Sequence, residues 1–363
     1  MKHVTVFTDY YPEPNKEFFI DTERPYLAGA FDSVTYAPEH VTIGENHWTR
    51  KAKIVLAGMQ SMDFLTRPTI QNLVYMGKVA AIRRWVDRQK PKGLLYSYWF
   101  KAAATAIAGH HPCIARAHND DLYEEQHPSG RIPMRRETLT GLDFVYPCSL
   151  HGSNYLVKKF PSFAHKIKTA RLGVNRLPVR VPWTPEKAVR IISCCGLEPY
   201  KCPLMLIDVV REVAKYASVR WVHVGDGSMH NAFWKAAHLL PDVVRYRLWG
   251  TIPNREVHEL YANNSFDVFL LTSEWEGLPV AIMEALAYGV PVVCRDAGGC
   301  REAVANGGGF CFGQETAAVV LATGVMAAVK MGNEMSNTAE AAWSSDFQAD
   351  INLRNFAREV RAI

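Results

Sequence analysis

The sequence predicts an α/β protein built from two doubly wound domains, and three observations carry that expectation. At 363 residues the chain is too long for one ordinary core and comfortable as two domains of about 150 to 200 residues. Short apolar runs rich in β-branched and aromatic residues alternate with helical stretches, the pattern of parallel sheets with helices on both faces. A Pro-containing stretch, RLPVRVPWTP from Arg176 to Pro185, interrupts the alternation and reads as a linker.

In the first half the expected strands are HVTVFTD (3–9), SVTYAP (33–38), GLLYSYWF (93–100), CIARAH (113–118), DFVYPCS (143–149) and KIKTARLGV (166–174). The second half restarts with VRIISCC (189–195), VRWVHVGDG (219–227), YRLWGT (246–251), FDVFLLTS (266–273), PVVCRD (291–296) and GFCF (309–312). The expected organisation is a first domain over 1–175, a linker over 176–187 and a second domain over 188–345. A C-terminal helix over 346–363 is expected to pack back on the first domain. Two such domains would place a cleft between the carboxyl ends of their strands, where ligands of these sheets bind.

Composition narrows the function classes. The chain is 48% hydrophobic and 21% charged without a low-complexity tract, as in an ordinary globular protein. No apolar run reaches the ~18 residues of a membrane span. The opening MKHVTVFTDYY lacks the features of a signal peptide, so a cytoplasmic protein is expected. Eight cysteines without a C-x-x-C pair read as buried reduced thiols, with no disulfide framework and no zinc site. His110 and His111 adjoin Pro112 at a turn and read as loop residues rather than metal ligands. The net charge of +5 is concentrated before the linker, which suits an anionic partner such as a membrane surface, or simply a solvated face. Scattered basic residues with no recognition motif argue against nucleic acid. VHVGDGS lacks the third glycine of a dinucleotide fingerprint, which disfavours a nicotinamide dehydrogenase.

The stretch SEWEGLPVAIMEALAYGVPVV, Ser273 to Val293, raises the sharpest chemical question. Pro279 suits the first position of a helix, and from Val280 to Ala287 that helix is apolar on every face except at Glu284. Such a helix is buried, and a lone ionised carboxylate in it costs several kcal/mol unless hydrogen-bonded. Side chains lean toward the helix N-terminus, so Glu284 is expected to point at the Gly277–Leu278 loop. The free amides and positive dipole end there favour a phosphate. The arrangement suits a sugar nucleotide, with loop amides on the diphosphate, one carboxylate on a ribose diol and Glu276 on the transferred sugar. The plain alternative is that Glu284 pairs with a buried Lys or Arg, or faces water at a domain edge.

EGLPVAIMEALAYGVPVV resembles the E-x7-E motif of retaining glycosyltransferases of family four, which have the type-B (GT-B) fold of two Rossmann-like domains facing each other across a cleft. The resemblance continues through VHVGDG (222–227), GTIPNREVHELY (250–261) and DAGGCREAV (296–304). In the first half, PNKEFFIDTERPYLAGAFDSV, RAHNDDLYEEQHPSGRIPMRRE and SLHGSNYLVKKF look like the acceptor domain of bacterial capsule and exopolysaccharide transferases, and the likeness ends with FQADINLRNF. It implies transfer of a hexose with retained configuration, without a bound metal or cofactor. The donor implied is a nucleotide sugar, UDP-linked by preference, and the acceptor a saccharide or lipid-linked saccharide of surface polysaccharide synthesis. The inner membrane face would be met peripherally through RIPMRRE (131–137) and KKFPSFAHKIK (158–168).

Carried over residue by residue, the resemblance makes His118, Glu276 and Lys201 the catalytic residues and Glu284 the ribose ligand. Gly277, Leu278 and Pro279 would approach the donor sugar and phosphates. Gly225, Asp226 and Gly227 would form a tight turn at the donor, and Gly250, Thr251 and Ile252 would hold the base. Glu17, Asp121 and Tyr123 match acceptor-side positions. LEPYKC matches the family's Leu-x-Pro-x-Lys, but the arginine that the family carries before that leucine is Gly196 here. Arg295 or Arg301 is expected to supply the missing charge. The rival readings are a catalytically idle nucleotide-sugar-binding subunit and, on the same fold, a nucleotide-sugar epimerase or a phosphorylase.

Overall fold

The computed structural model describes residues 2–11, 17, 19–38, 70–127 and 129–363. Residues 14–16 and 18 of the first acceptor-like stretch, and residue 128 of the second, lie outside the described residues. The chain forms two compact units, Met1–Arg171 together with Leu353–Ile363, and Leu172–Asn352.

In the first unit the described strands are β1 (His3–Thr8), β2 (Ser33–Pro38), β3 (Leu94–Ser97), β4 (Cys113–Ala117) and β5 (Phe144–Pro147). They pair in parallel in the order β2-β1-β3-β4-β5. The helices are α1 (Phe19–Ala30), α2 (Ile70–Gln89), α3 (Ala102–Ile107), α4 (Arg135–Gly141) and α5 (Leu150–Lys159). Alternate strand residues point to opposite faces, and here both alternations are apolar. Val4, Val6, Leu94, Tyr96, Ile114 and Tyr146 pack with Ile20 and Leu27 of α1 and with Phe356, Ala357 and Val360 near the C-terminus. Leu95, Cys113, Ala115 and Val145 pack with Val79, Ile82 and Val86 of α2. A parallel sheet covered on both sides follows directly. One charge pair is buried in it: the Arg116 guanidinium donates to Glu23 and lies 4.2 Å from the Phe356 ring centre.

KIKTARLGV corrects the sequence reading, because it is not a strand. Ile167 makes a single bridge to Val145 and Val174 another to Gln348. The amides of Lys168 and Ala170 bond to the carbonyls of Val145 and Pro147. Lys166 Nζ is drawn instead to the carbonyls of Leu139, Thr140 and Leu142 at the end of α4. The segment therefore lies along β5 for a few residues without completing a ladder. The other eleven expected strands form.

In the second unit the strands are β6 (Val189–Cys194), β7 (Val219–Val224), β8 (Val244–Leu248), β9 (Val268–Leu271), β10 (Val292–Arg295) and β11 (Gly309–Phe312). They are parallel in the order β11-β10-β9-β6-β7-β8. The helices are α6 (Pro203–Val213), α7 (His230–Ala237), α8 (Asn254–Asn263), α9 (Val280–Ala287), α10 (Cys300–Val304), α11 (Ala318–Met331), α12 (Asn333–Asp346) and α13 (Ala349–Arg361), the last running on into the first unit. Ile191, Trp221, Val268 and Leu270 meet Leu206 and Val210 of α6 and Leu321 and Val325 of α11. Residues 176–185 are strapped to this unit: Arg176 and Arg180 each reach a Glu340 oxygen at 2.5 Å, and Trp183 Nε1 donates to Asp267 at 2.7 Å.

The strand orders locate the candidate sites. Chain direction across the sheet reverses between β1 and β3 in the first unit and between β6 and β9 in the second. Loops leaving the carboxyl ends of such neighbours diverge and open a crevice, the usual ligand position in these sheets. No described helix is long and apolar enough to cross a membrane.

Candidate active site

The second unit brings Lys201, Glu276 and the Gly277–Leu278 loop to its switch point. Lys201 closes a short 3-10 turn, Pro199–Lys201, in the loop after β6. Thr272 at the end of β9 anchors that loop by donating to the carbonyl of Lys201 or Cys202. The Glu274 amide donates to the Tyr200 carbonyl at 2.8 Å. These ties bring Lys201 Nζ to 2.6 Å from Glu276 Oε1, with both side chains largely buried. Burial works to lower the Lys201 pKa, but the Glu276 carboxylate outweighs it and leaves it raised. Lys201 is therefore a fixed cation at the crevice. The amides of Gly277 and Leu278 donate to nothing among the described residues.

Behind this loop, the turn after β10 requires a glycine. A Cβ on Gly298, at φ +51°, would lie 1.8 Å from the Glu276 carbonyl oxygen, and the Gly299 amide donates to the Gly277 carbonyl at 2.6 Å. Gly225 is equally constrained, with φ +131° and a Cβ position 1.9 Å from the Cys195 carbonyl oxygen. The loops after β6 and β7 thus touch backbone to backbone, which only glycine allows. The Gly225 amide is tied to the Gly250 carbonyl at 2.8 Å, so the Gly250–Ile252 loop joins the same rim. Asp226 spends Oδ1 on the Gly227 amide and on His230 Nδ1.

Glu284 is 4% exposed in α9. Pro279 is the residue just before that helix rather than its first turn. The carboxylate meets α8, the helix that follows Ile252. Asn254 Nδ2 donates to Glu284 Oε1 at 2.6 Å, and His258 Nε2 stands 3.7 Å from the same oxygen. No lysine or arginine among the described residues contacts it, so the alternative of a buried ion pair does not hold. Burial pushes the Glu284 carboxyl up to about 7, against the Asn254 hydrogen bond. An acid held near neutrality can accept from a diol at a modest charging cost. Asn254, His258 and Tyr288 were not singled out from the sequence. The available signal was the i, i+4 spacing of Asn254 and His258, which shares one helix face.

The two arginines expected to replace the missing family cation are committed elsewhere. Arg295, 6% exposed, donates through Nε and Nη2 to the Gln314 carbonyl and through Nη1 to the Thr272 carbonyl. It ties β9 and β10 to the loop after β11. Arg301 pairs with Asp296 at 2.8 Å on the surface. At Gly196 an added Cβ would find its nearest atoms at 3.7 and 3.9 Å, so a side chain has room there.

The first unit has its own constellation at the ends of β1, β3 and β4. His118 stacks on Tyr98 with ring centres 4.9 Å apart and lies 4.7 Å from the Trp99 ring. Its Nε2 is 3.0 Å from the Tyr98 carbonyl oxygen, which can only accept. The neutral ring therefore carries its proton on Nε2 and presents Nδ1 as a base. Burial pulls this imidazole down to about 4, against the Asp121 charge. Asp121 accepts the amides of His118 and Asn119 on Oδ1 and of Phe100 on Oδ2. Glu17 accepts the amides of Asp9, Tyr10 and Tyr11 and the Trp99 indole N–H. Both carboxylates organise the loops around His118. Tyr123 Oη is 2.7 Å from His151 Nδ1. A cavity of about 250 Å³ beside them is lined by Thr8, Asp9, Tyr75, Lys101 and Asp120, among others. Lys101 bridges to Asp120 at 3.0 Å.

Of the basic residues expected to meet a membrane, Arg135 is buried, while Lys159 and Lys168 pair with carboxylates. Arg131, Arg136 and Lys158 are exposed. All eight cysteines are free thiols. Among the described residues, the grouping with metal-ligand spacing is His111, Cys113 and Asp143, near the amino ends of β4 and β5.

Residues 180–344 match the family described as Glycosyl transferases group 1. The Vi polysaccharide biosynthesis protein VipC/TviE of Salmonella typhi is 35% identical over 108 residues, 30% of this chain and 18% of that protein. A GDP-mannose-dependent alpha-mannosyltransferase of Mycobacterium tuberculosis is 37% identical over 126 residues, 35% of this chain and 30% of that protein. The matched regions thus cover less than a third of either relative. The structure of Anabaena HepE in complex with UDP and glucose aligns over 100% of both chains with a TM-score of 0.68 at 17% identity, a likeness of fold. Residues 180–344, within the second unit, form a glycosyl transferases group 1 domain.

Proposed function

We propose that this protein is a retaining hexosyltransferase that moves a sugar from a nucleotide-sugar donor to a saccharide or lipid-linked acceptor in surface polysaccharide biosynthesis. One observation carries the reading: a fixed cation, Lys201, paired with Glu276 beside two unclaimed loop amides at the switch point of the second sheet. Charge develops on the departing diphosphate as the glycosidic bond breaks, and a preorganised ammonium with backbone N–H groups stabilises it. Glu276 would receive the sugar hydroxyls and Glu284 the ribose diol. Gly250, Thr251 and Ile252 would line the base. UDP is the favoured carrier, in keeping with the UDP complex of HepE, while the mannosyltransferase relative makes GDP the competing base.

His118 would serve the reacting sugar from the first unit, with Glu17, Asp121 and Tyr123 shaping the acceptor side. The chemistry needs no bound cofactor in this reading, since Lys201 and the loop amides take the part a metal plays elsewhere. Same-face attack, in which the leaving phosphate helps take the acceptor proton, suits the site better than double displacement, because Glu284 is committed to ribose. Release of UDP or GDP from nucleotide sugars, followed with and without a chelator, tests the reading. Turnover that survives chelation supports it, whereas turnover only on addition of a divalent metal contradicts it. Tight nucleotide binding with no release at all would favour the idle-subunit reading, for which Gly196 is the specific support. Peripheral association through Arg131, Arg136 and Lys158 would appear as salt-sensitive binding to anionic vesicles.

A further inference from the structure

The surroundings of Glu284 hold a polar chain that the donor-site reading does not use. Tyr288 Oη accepts the Leu177 amide N–H at 2.9 Å and lies 3.0 Å from His258 Nδ1. With one lone pair taken by the amide, the hydroxyl proton is directed at Nδ1. The opposite tautomer would set a bare Nε2 lone pair against the buried Glu284 Oε1, 3.7 Å away. The neutral ring therefore carries its proton on Nε2, facing the carboxylate. Burial lowers the His258 pKa and favours that neutral form.

The other titratable groups facing Glu284 are Cys194 at the end of β6, Tyr261 on α8 and Tyr288 after α9. Burial raises all three, so none is an anion near neutral pH. Tyr261 Oη is buried and without a hydrogen-bond partner. Glu284 thus sits among neutral groups, with Asn254 as its one hydrogen-bond donor among the described residues.

We propose that His258 is a positioning residue for Glu284, its Nε2–H closing on Oε1 as nucleotide binds and holding the carboxylate ionised, with Oε2 turned to the ribose. The proposal rests on the reading of Glu284 as the ribose ligand. A separation of 3.7 Å is beyond hydrogen-bond length, and polar contacts at such sites commonly tighten only in the complex. Tyr288 and the Leu177 amide set the imidazole tautomer, which links residues 176–185 to the nucleotide site.

The test is calorimetric binding of UDP-glucose and GDP-mannose from pH 5.5 to 8.5, since their diphosphate diesters do not titrate in this range. Wild-type affinity is expected to climb toward neutral pH and then level. His258→Leu removes a donor that meets the ionised carboxylate in the complex, so a loss of about tenfold is expected at pH 8.5, shrinking toward pH 5.5 where the carboxyl is protonated with or without His258. His258→Gln, which keeps an N–H donor, should retain most of the affinity at pH 8.5. Tyr288→Phe, a one-atom change that leaves the ring packing in place, should show a smaller loss of the same pH-dependent form. A loss by the same factor at every pH, or no loss, in His258→Leu and Tyr288→Phe while wild type binds would overturn the proposal alone. Failure of wild type to bind either sugar nucleotide at any pH would overturn the ribose-ligand reading and this proposal with it.

Discussion

Lys201 Nζ lies 2.6 Å from Glu276 Oε1, although the two residues are 75 positions apart in the chain. They meet because β6 and β9 are neighbours at the one place where the second sheet reverses direction. The pair keeps a largely desolvated ammonium charged and aimed. An incoming diphosphate can take over that ammonium, exchanging one anionic partner for another, and so release Glu276 to the sugar.

In the proposed reaction, Lys201→Ala removes the fixed cation that would face the leaving group. Donor turnover, measured as release of the nucleoside diphosphate, is expected to fall about 10²- to 10³-fold. Loss of under threefold would show that the charge is supplied elsewhere.

Gly196 stands where the family resemblance implies an arginine, and its surroundings leave room for a side chain. In the structure Arg295 is held by backbone carbonyls and Arg301 by Asp296. Gly196→Arg is therefore expected to fold and to bind UDP about tenfold more tightly, the gain of one further charge-assisted contact. Unchanged affinity in a folded variant would mean that this position does not reach the diphosphate.

Glu284 also carries a stability signature. Its carboxyl is raised to about 7 by burial, so the native state binds its proton more tightly than the unfolded chain. Its contribution is present in full below the ordinary carboxylate range and is lost as pH rises through about 7. Glu284→Gln imitates the protonated form and should match wild type near pH 4.5 but exceed it at pH 8, by up to roughly 3 kcal/mol. Thermal unfolding at the two pH values checks this. A variant less stable than wild type at pH 8 would contradict the direction.

His118 has the opposite sign. Burial holds its imidazole down at about 4, so stability that is whole above about 6.5 drains away as pH falls toward 4. His118→Asn should flatten the part of the acid stability loss that lies between those values. A midpoint between pH 5.5 and 7.5 in a rate profile would then belong to another group, Glu284 first. Survival of such a midpoint in His118→Asn would agree, and its disappearance would not.

Much of the fold was legible because parallel strands with both faces covered read as continuous apolar runs, as in VFLL of β9 and VVCR of β10. KIKTARLGV misled because extended, alternating sequence does not reveal whether a partner edge runs beside it for long enough. The acids were legible for a different reason: a charge at position 284 inside an all-apolar helix is costly enough to demand an explanation. The partners of Arg295 and Arg301 were not, since a guanidinium beside a glycine turn looks the same whether it meets a phosphate, a carboxylate or a backbone carbonyl. Glu17 and Asp121 present the same ambiguity; their carboxylates are engaged by backbone amides, a contact that depends on loop geometry alone. Asn254 and His258 escaped because their partner lies a helix away.

The central claim is that Glu284 marks a nucleotide-sugar site. Calorimetric titration of the purified protein with UDP and with GDP, repeated on Glu284→Ala, tests it most directly. The account predicts saturable binding of one of the two nucleotides, UDP by preference, and its loss in the variant. Binding of neither nucleotide, or binding that Glu284→Ala leaves unchanged, would contradict it.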